Sequence, residues 1–210
     1  MSYWGDKDSS VSFCETAYKD STYIAEYYNT LSGVTYCFLG LYFLKTEIKN
    51  MGYTLISLGT GTVLLHATQR WYGQWLDELS MLYLSYQIIC RMRYLRNKTT
   101  PQWLPILGLI TYIFFFKTYV IFIILFGAAQ LQILNDVKYL KPKEKYKFTF
   151  NVYILIYKYV FVVSLLLWII DHILCNSVEF LKLHAFWHMG TGVSIFFGLN
   201  NLLICDTTSI

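Results

Sequence analysis

The chain has 210 residues, of which 56% are hydrophobic and only 14% are charged. A soluble domain would carry about 25% charged residues, so the composition argues against a soluble globular protein. The mean hydropathy of +0.41 and the 19% aromatic content are typical of helical membrane proteins, which place aromatic rings at lipid interfaces. We therefore predict an all-α integral membrane protein.

The apolar segments predict a bundle of seven transmembrane helices in one domain, residues 1–210. A span needs about 20 residues, and the fourth segment is the short one. The segments lie at 27–45, 51–69, 74–92, 103–117, 118–137, 150–171 and 184–205. Residues 1–26 are polar, and the first span comes too late to be a cleaved signal, so we expect it to be an uncleaved anchor.

Lys117 decides whether the fourth and fifth segments are two spans or one long helix. It is the only charged residue between Trp103 and Asp136. We predict a tight turn at FFFKTY, residues 114–119, with Lys117 reaching the lipid headgroups.

The distribution of basic residues predicts the orientation of the bundle. With residues 1–26 lumenal or outside and the C-terminus cytosolic, eleven lysines and arginines lie on the inner side and five on the outer side. The net charge of +4 then reflects membrane topology and argues against a nucleic-acid partner.

Three histidines are predicted to meet near the outer ends of the spans. His66 ends the second span, and His184 and His188 open the seventh within LHAFWH. The last two are one helical turn apart and project from one face. Three neutral imidazoles leave one position of a tetrahedral zinc ion open, as catalytic zinc sites do.

Polar residues at the same depth suggest hydrolytic chemistry. Asp77 begins the third span, and Thr62 lies one turn before His66 on the same helical face. We predict that Asp77 orients the attacking water or takes its proton, and that Thr62 donates a hydrogen bond to the developing oxyanion. Asp171 is either a hydrogen-bond partner of a ligand or an interfacial polar group.

Other interpretations of the histidines are open. A single interfacial histidine is more often a polar group that reaches the headgroups, although ionisable residues inside spans are rare and usually functional. A haem needs ligands on helices that face each other across the ring, which a pair on one helix serves poorly. A transporter would show broken helices in matching halves, and the sequence lacks them.

Seven short motifs follow one another over nearly the whole chain. They are YWG (3–5), FCE (13–15), EYYNTLS (26–32), GTGTVLLH (59–66), GQWLDEL (73–79), WIIDHILC (168–175) and LHAFWH (183–188). Together they resemble the alkaline ceramidases. The resemblance implies a seven-helix hydrolase of an endoplasmic reticulum or Golgi membrane, which cleaves the amide of ceramide to sphingosine and a fatty acid at a lumenal-side site.

The resemblance also implies roles for the residues of the predicted centre. His66, His184 and His188 correspond to the ligands of the family's intramembrane zinc ion, and Asp77 to its acidic residue. Thr62 stands where the family has a serine, so the hydroxyl is kept and a methyl group is added.

A calcium site before the first span is a further implication of the resemblance. Glu15 and Glu26 are retained and Phe13 can offer its carbonyl, but Ser12 replaces an aspartate and Ala17 an asparagine. Because calcium prefers about six to eight oxygen ligands, we expect this site to be weakened.

Two of the five cysteines are expected to form a disulfide. Cys14 and Cys175 both fall on the outer, oxidising side, and the resemblance supports a disulfide between them. Cys37, Cys90 and Cys205 are expected to stay reduced.

The rival functional class is a non-catalytic seven-span receptor or lipid-binding protein that contains zinc.

Overall fold

A computed structural model describes residues 2–100 and 103–205 of the chain, and within these ranges it is all-helical without a β-strand. The long helices are α1 (Tyr27–Phe43), α2 (Lys49–Thr68), α3 (Trp71–Leu95), α4 (Trp103–Phe115), α5 (Tyr119–Asp136), α6 (Lys147–Ile173) and α8 (Leu183–Leu203). The single turn α7 (Cys175–Val178) lies between the last two. A helix is confirmed at each of the seven predicted segments, while residues 206–210, the end predicted to be cytosolic, lie outside the described residues.

Two helical stretches of the described chain are apolar and long enough to cross a membrane, Tyr119–Tyr139 and Glu144–Ile173, and Ile106–Phe115 is a shorter apolar helix. The helices α1, α2, α3 and α8 are less apolar because they carry buried polar residues, including Asn29, Gln74 and Asn201. The seven spans and their orientation therefore stay a prediction.

Helix packing brings the two ends of the chain together. Along the sequence α1 packs on α2, α2 on α3 and α3 on α5, while α8 packs against both α6 and α1. The last long helix therefore lies beside the first. This arrangement places the start of α8 near the end of α2, although more than 100 residues separate them.

The turn between α4 and α5 has the predicted position. The Thr118 amide donates to the Phe115 carbonyl at 2.7 Å, and Lys117 between them is exposed. Two helices rather than one therefore fill residues 103–136, so α8 runs in the direction that carries its first turn towards His66.

The N-terminal segment lies over the histidine end of the bundle. Its disulfide between Cys14 and Cys175 is present, with the two Cα atoms 5.2 Å apart, so the predicted pairing is confirmed. Ala25 and Glu26 donate their amides to the carbonyls of Ala67 and His66, both at 2.9 Å. These contacts fix the segment to the end of α2.

Candidate metal centre

Three buried histidines converge at the histidine end of the bundle. His66, His184 and His188 are 1%, 4% and 4% exposed, and one ring nitrogen of each lies within 4.8 Å of the others. The ring centroids are 4.6–5.1 Å apart. Within the described ranges this is the one group of three or more histidine, cysteine or acidic residues with such spacing.

Glu26 fixes the orientation of the His66 ring. Its Oε2 lies 2.5 Å from Nδ1 of His66 and also accepts a hydrogen bond from the side-chain amide of Asn29. Its Oε1 accepts a hydrogen bond from the side-chain amide of Gln69 at 2.8 Å. A carboxylate accepts only, so His66 carries its proton on Nδ1 and Nε2 is free to bind a metal. The sequence predicted Glu26 as a calcium ligand, not as a partner of His66.

Ser32 has the corresponding role for His188. The hydroxyl of Ser32 donates to the Asn29 carbonyl at 2.9 Å and lies 2.7 Å from Nδ1 of His188. The same hydroxyl oxygen can therefore accept the Nδ1 proton, which again leaves Nε2 free. Glu26, directly before α1, and Ser32, within it, both belong to the EYYNTLS motif, for which the sequence predicted no contact with the histidines.

His184 supplies the test of whether a metal ion fits. Its Nδ1 is buried, and the described part of the chain offers it no hydrogen-bond partner. An orphaned buried nitrogen costs free energy unless something binds there, and neutral imidazoles are frequent ligands of divalent transition metals. The residues present therefore fit a metal ion held by three nitrogens.

Asp77 and Thr62 lie together at one side of the histidines. The Thr62 hydroxyl donates to the Asp77 carboxylate, and the Leu58 carbonyl at 2.9 Å is an alternative acceptor. Both side chains line the same cavity as the three histidines. The hydroxyl must turn away from Asp77 before it can donate to a substrate.

Two glycines explain why α2 and α3 can approach so closely here. A Cβ added at Gly61 would lie 2.5 Å from the Asp77 nitrogen, and one at Gly73 would lie 2.5 Å from the Leu65 nitrogen. Only glycine tolerates such backbone contacts. The GTGT and GQWLDEL motifs thereby bring Asp77 next to Thr62.

The site opens into a cavity of about 280 Å³ with mainly apolar walls. Its walls include Met81, Phe122, Phe126, Phe161, Leu165 and Trp187. The Phe13 ring also lines it, 4.5 Å from the His66 ring and 4.4 Å from the His184 ring by centroid. The site thus combines a small polar end with a large apolar volume.

The proposed calcium ligands have other contacts in the structure. Both oxygens of Glu15 accept amide protons of the first turn of α1, from Tyr28 at 2.9 Å and Asn29 at 3.0 Å. Ser12 accepts from the Lys7 ammonium at 2.5 Å. Burial lowers the pKa of Lys7, and the negative charge of Glu26 opposes that change.

A buried acidic residue, Glu78, directly follows Asp77, and the sequence did not predict its role. It accepts hydrogen bonds from Gln74 and from Tyr112 of α4, both at 2.9 Å, and Gln74 also bonds Ser10. Two adjacent acidic residues inside a predicted span were the available signal. Glu78 thus ties α3 to α4 and to the N-terminal segment beside the cavity.

The fold and the site define an all-helical protein with a candidate metal centre at one end of an apolar cavity. The family model described as Ceramidase matches residues 5–209, and the chain belongs to this family. A Dictyostelium discoideum protein classed provisionally as an alkaline ceramidase is 28% identical over 96% of this chain and 88% of its own length. The alkaline ceramidase of Drosophila melanogaster is 27% identical over 86% of this chain and 71% of its own, and mouse alkaline ceramidase 3 is 24% identical over 91% and 81%.

Proposed function

We propose that the protein is a zinc-dependent amidase that hydrolyses ceramide to sphingosine and a free fatty acid. The observation that carries the proposal is the convergence of three buried histidines and Asp77 at the end of an apolar cavity, in a member of the ceramidase family. Zinc suits three neutral imidazoles better than calcium or magnesium, which prefer oxygen ligands. His66, His184 and His188 would hold it.

The surrounding residues supply proton transfer and orientation. A bound zinc ion would acidify water and polarise the amide carbonyl. Asp77 lies in the cavity without a cationic partner among its described contacts, so it can accept the proton of the attacking water and return it to the leaving amine. Thr62 holds the carboxylate in place and, after rotation of its hydroxyl, can donate to the carbonyl oxygen.

The walls of the cavity support a two-tailed lipid substrate. One wall comes from α5, with Phe122 and Phe126, and the facing wall comes from α6, with Phe161 and Trp168. Because α5 packs on α3 and α6 packs on α8, a lipid can enter between them from the side. The amide then reaches Asp77 while the tails stay in apolar surroundings.

A membrane-embedded bundle of seven spans, forming one domain, is part of the proposal. Large apolar side chains are exposed on the outer faces of the long helices, including Phe38, Phe114, Phe148, Tyr159 and Val193. Water would disfavour so large an apolar surface. The disulfide supports a lumenal position for residues 1–26 and the site, in the endoplasmic reticulum or Golgi.

The test is release of sphingosine from ceramide by the purified protein, with zinc content measured on the same sample. We expect both the His188→Ala substitution and metal removal to abolish hydrolysis. Added zinc should restore the activity of the metal-stripped parent but not that of the His188→Ala variant. His172→Ala is the control, because His172 is exposed and is not one of the three clustered histidines. Undiminished hydrolysis by His188→Ala would refute the zinc mechanism, whereas stoichiometric ceramide binding without turnover would favour the non-catalytic lipid-binding protein.

A further inference from the structure

A second cavity, of about 70 Å³, extends from the candidate site towards the opposite end of the bundle. Tyr36, Met81 and Trp187 line both cavities, so the second begins where the first ends. Its walls are mainly apolar and come from α3, α5, α6 and α8. The two cavities together form one path that leads away from the histidines.

The far end of this path is closed by buried side chains. Val137, Leu140 and Leu199 line it and are 3%, 6% and 1% exposed. Asn201 lines it as well and is 1% exposed. Neither Nδ2 nor Oδ1 of Asn201 has a hydrogen-bond partner in the part of the chain that the structure describes. The floor is therefore closed and contains an unpaired amide.

The depth of the path can be measured along α8. Asn201 comes thirteen residues after His188, which corresponds to about 20 Å at the helical rise. A carbon chain with bonds of about 1.5 Å and tetrahedral angles advances about 1.25 Å per methylene. An extended chain of about 16 carbons would therefore reach from the histidines to the floor.

We propose that the path formed by the two cavities binds the acyl chain of the substrate and that its floor, closed by Leu140, Leu199 and Asn201, limits that chain to about 16 carbons. The inference rests on the proposed function and specifies its substrate. The acyl chain fits this path better than the sphingoid base does, because it continues from the reacting carbonyl as methylene groups alone. The base carries hydroxyls near the amide and needs the polar end of the site.

The floor then discriminates by length and by polarity. A longer chain must fold back or displace packed side chains, and a chain that the pocket cannot take should lose at least on the order of tenfold in kcat/KM. A methyl end that reaches Asn201 keeps both polar atoms of the amide unpaired, which a leucine there would avoid.

The first experiment compares hexanoyl, palmitoyl and lignoceroyl ceramides as substrates of the purified protein. We expect the parent to lose at least about tenfold in kcat/KM from palmitoyl to lignoceroyl. Leu199→Ala should raise the lignoceroyl-to-hexanoyl ratio about tenfold, and Asn201→Leu should raise the palmitoyl-to-hexanoyl ratio. Leu55→Ala, a buried core change outside both cavities, should leave both ratios unchanged. Ratios that do not move in either floor variant would overturn the proposal.

A second experiment separates tail binding from catalysis. Palmitoyl ceramide with a diazirine at the end of its acyl chain is cross-linked to the parent and to His188→Ala, and the adducts are mapped by mass spectrometry. Adducts at Leu140 or Asn201 support the proposal even if no hydrolysis is seen and the proposed function fails. Adducts confined to outward-facing residues such as Phe186 and Val193 overturn it even in an active enzyme.

Discussion

Replacing Glu26 by glutamine tests whether its carboxylate tunes the metal centre. Glu26 is 1% exposed and receives hydrogen bonds from His66, Asn29 and Gln69. Glutamine keeps the shape but has one acceptor oxygen in place of two, so the negative charge at His66 is lost and one neighbour loses its acceptor. Such partners of ligand histidines are typically worth about 10- to 100-fold in metal affinity, or about 1.4–2.8 kcal/mol.

The assay is zinc affinity of the purified variant, measured by competition with a chelator, together with its thermal unfolding. Glu15→Gln is the matched control, because Glu15 is a second buried carboxylate of the same segment that caps α1 and has no described contact with a histidine. We expect the control to lose about 1 kcal/mol of stability with little change in zinc affinity. Parent-like zinc affinity in a folded Glu26→Gln protein would refute the assigned role.

Three further predictions concern geometry, pH and calcium. Gly61→Ala forces α2 away from the Asp77 backbone and should lower kcat/KM by about 100-fold. Gly108→Ala is the control and should not lower kcat/KM, because its Cβ would come no closer than 3.9 Å to a neighbour. Equal values of kcat/KM in the two variants would refute the close-contact argument. Because protons compete with zinc for imidazole, hydrolysis should fall below about pH 6–7 and persist at alkaline pH, and a maximum near pH 5 in a pH–rate profile would contradict histidine ligation. A calcium titration should show weak or absent activation of hydrolysis by the parent and stronger activation of the double variant Ser12→Asp plus Ala17→Asn. Tight calcium activation of the parent that is unchanged in the double variant would mean that the calcium ligands are misassigned.

The positions of the helices could be predicted from the sequence because apolar segments and turn signals are local. Their ends could not, since contacts between distant segments set them. Helix α3 begins at Trp71 rather than at the predicted residue 74, and the Trp71 amide donates to the Asp8 carboxylate at 2.7 Å. No local pattern shows that Asp8 lies there.

The sequence could predict which histidines meet at the candidate site, because the directions of the helices decide this. His66 and the two histidines of α8 share one end of the bundle because seven helices alternate in direction. The partners of their ring nitrogens could not be predicted, because Glu26 and Ser32 differ from ordinary polar residues at a helix start only through their neighbours. Glu26 is the clearest case, since the sequence predicts it as a calcium ligand although its carboxylate contacts His66, a residue of the histidine cluster.

The N-terminal segment forms part of the candidate metal centre. Phe13 places its ring against His66 and His184, Cys14 is joined to the turn before α8, and Glu15 caps α1. Helices α2 and α8 contribute the histidines but come from opposite ends of the sequence, so their relative position depends on what lies across them. Three consecutive residues make that connection. The polar segment that precedes the first helix thus adds contacts to both histidine-bearing helices, beyond the packing of α2 and α8 on α1.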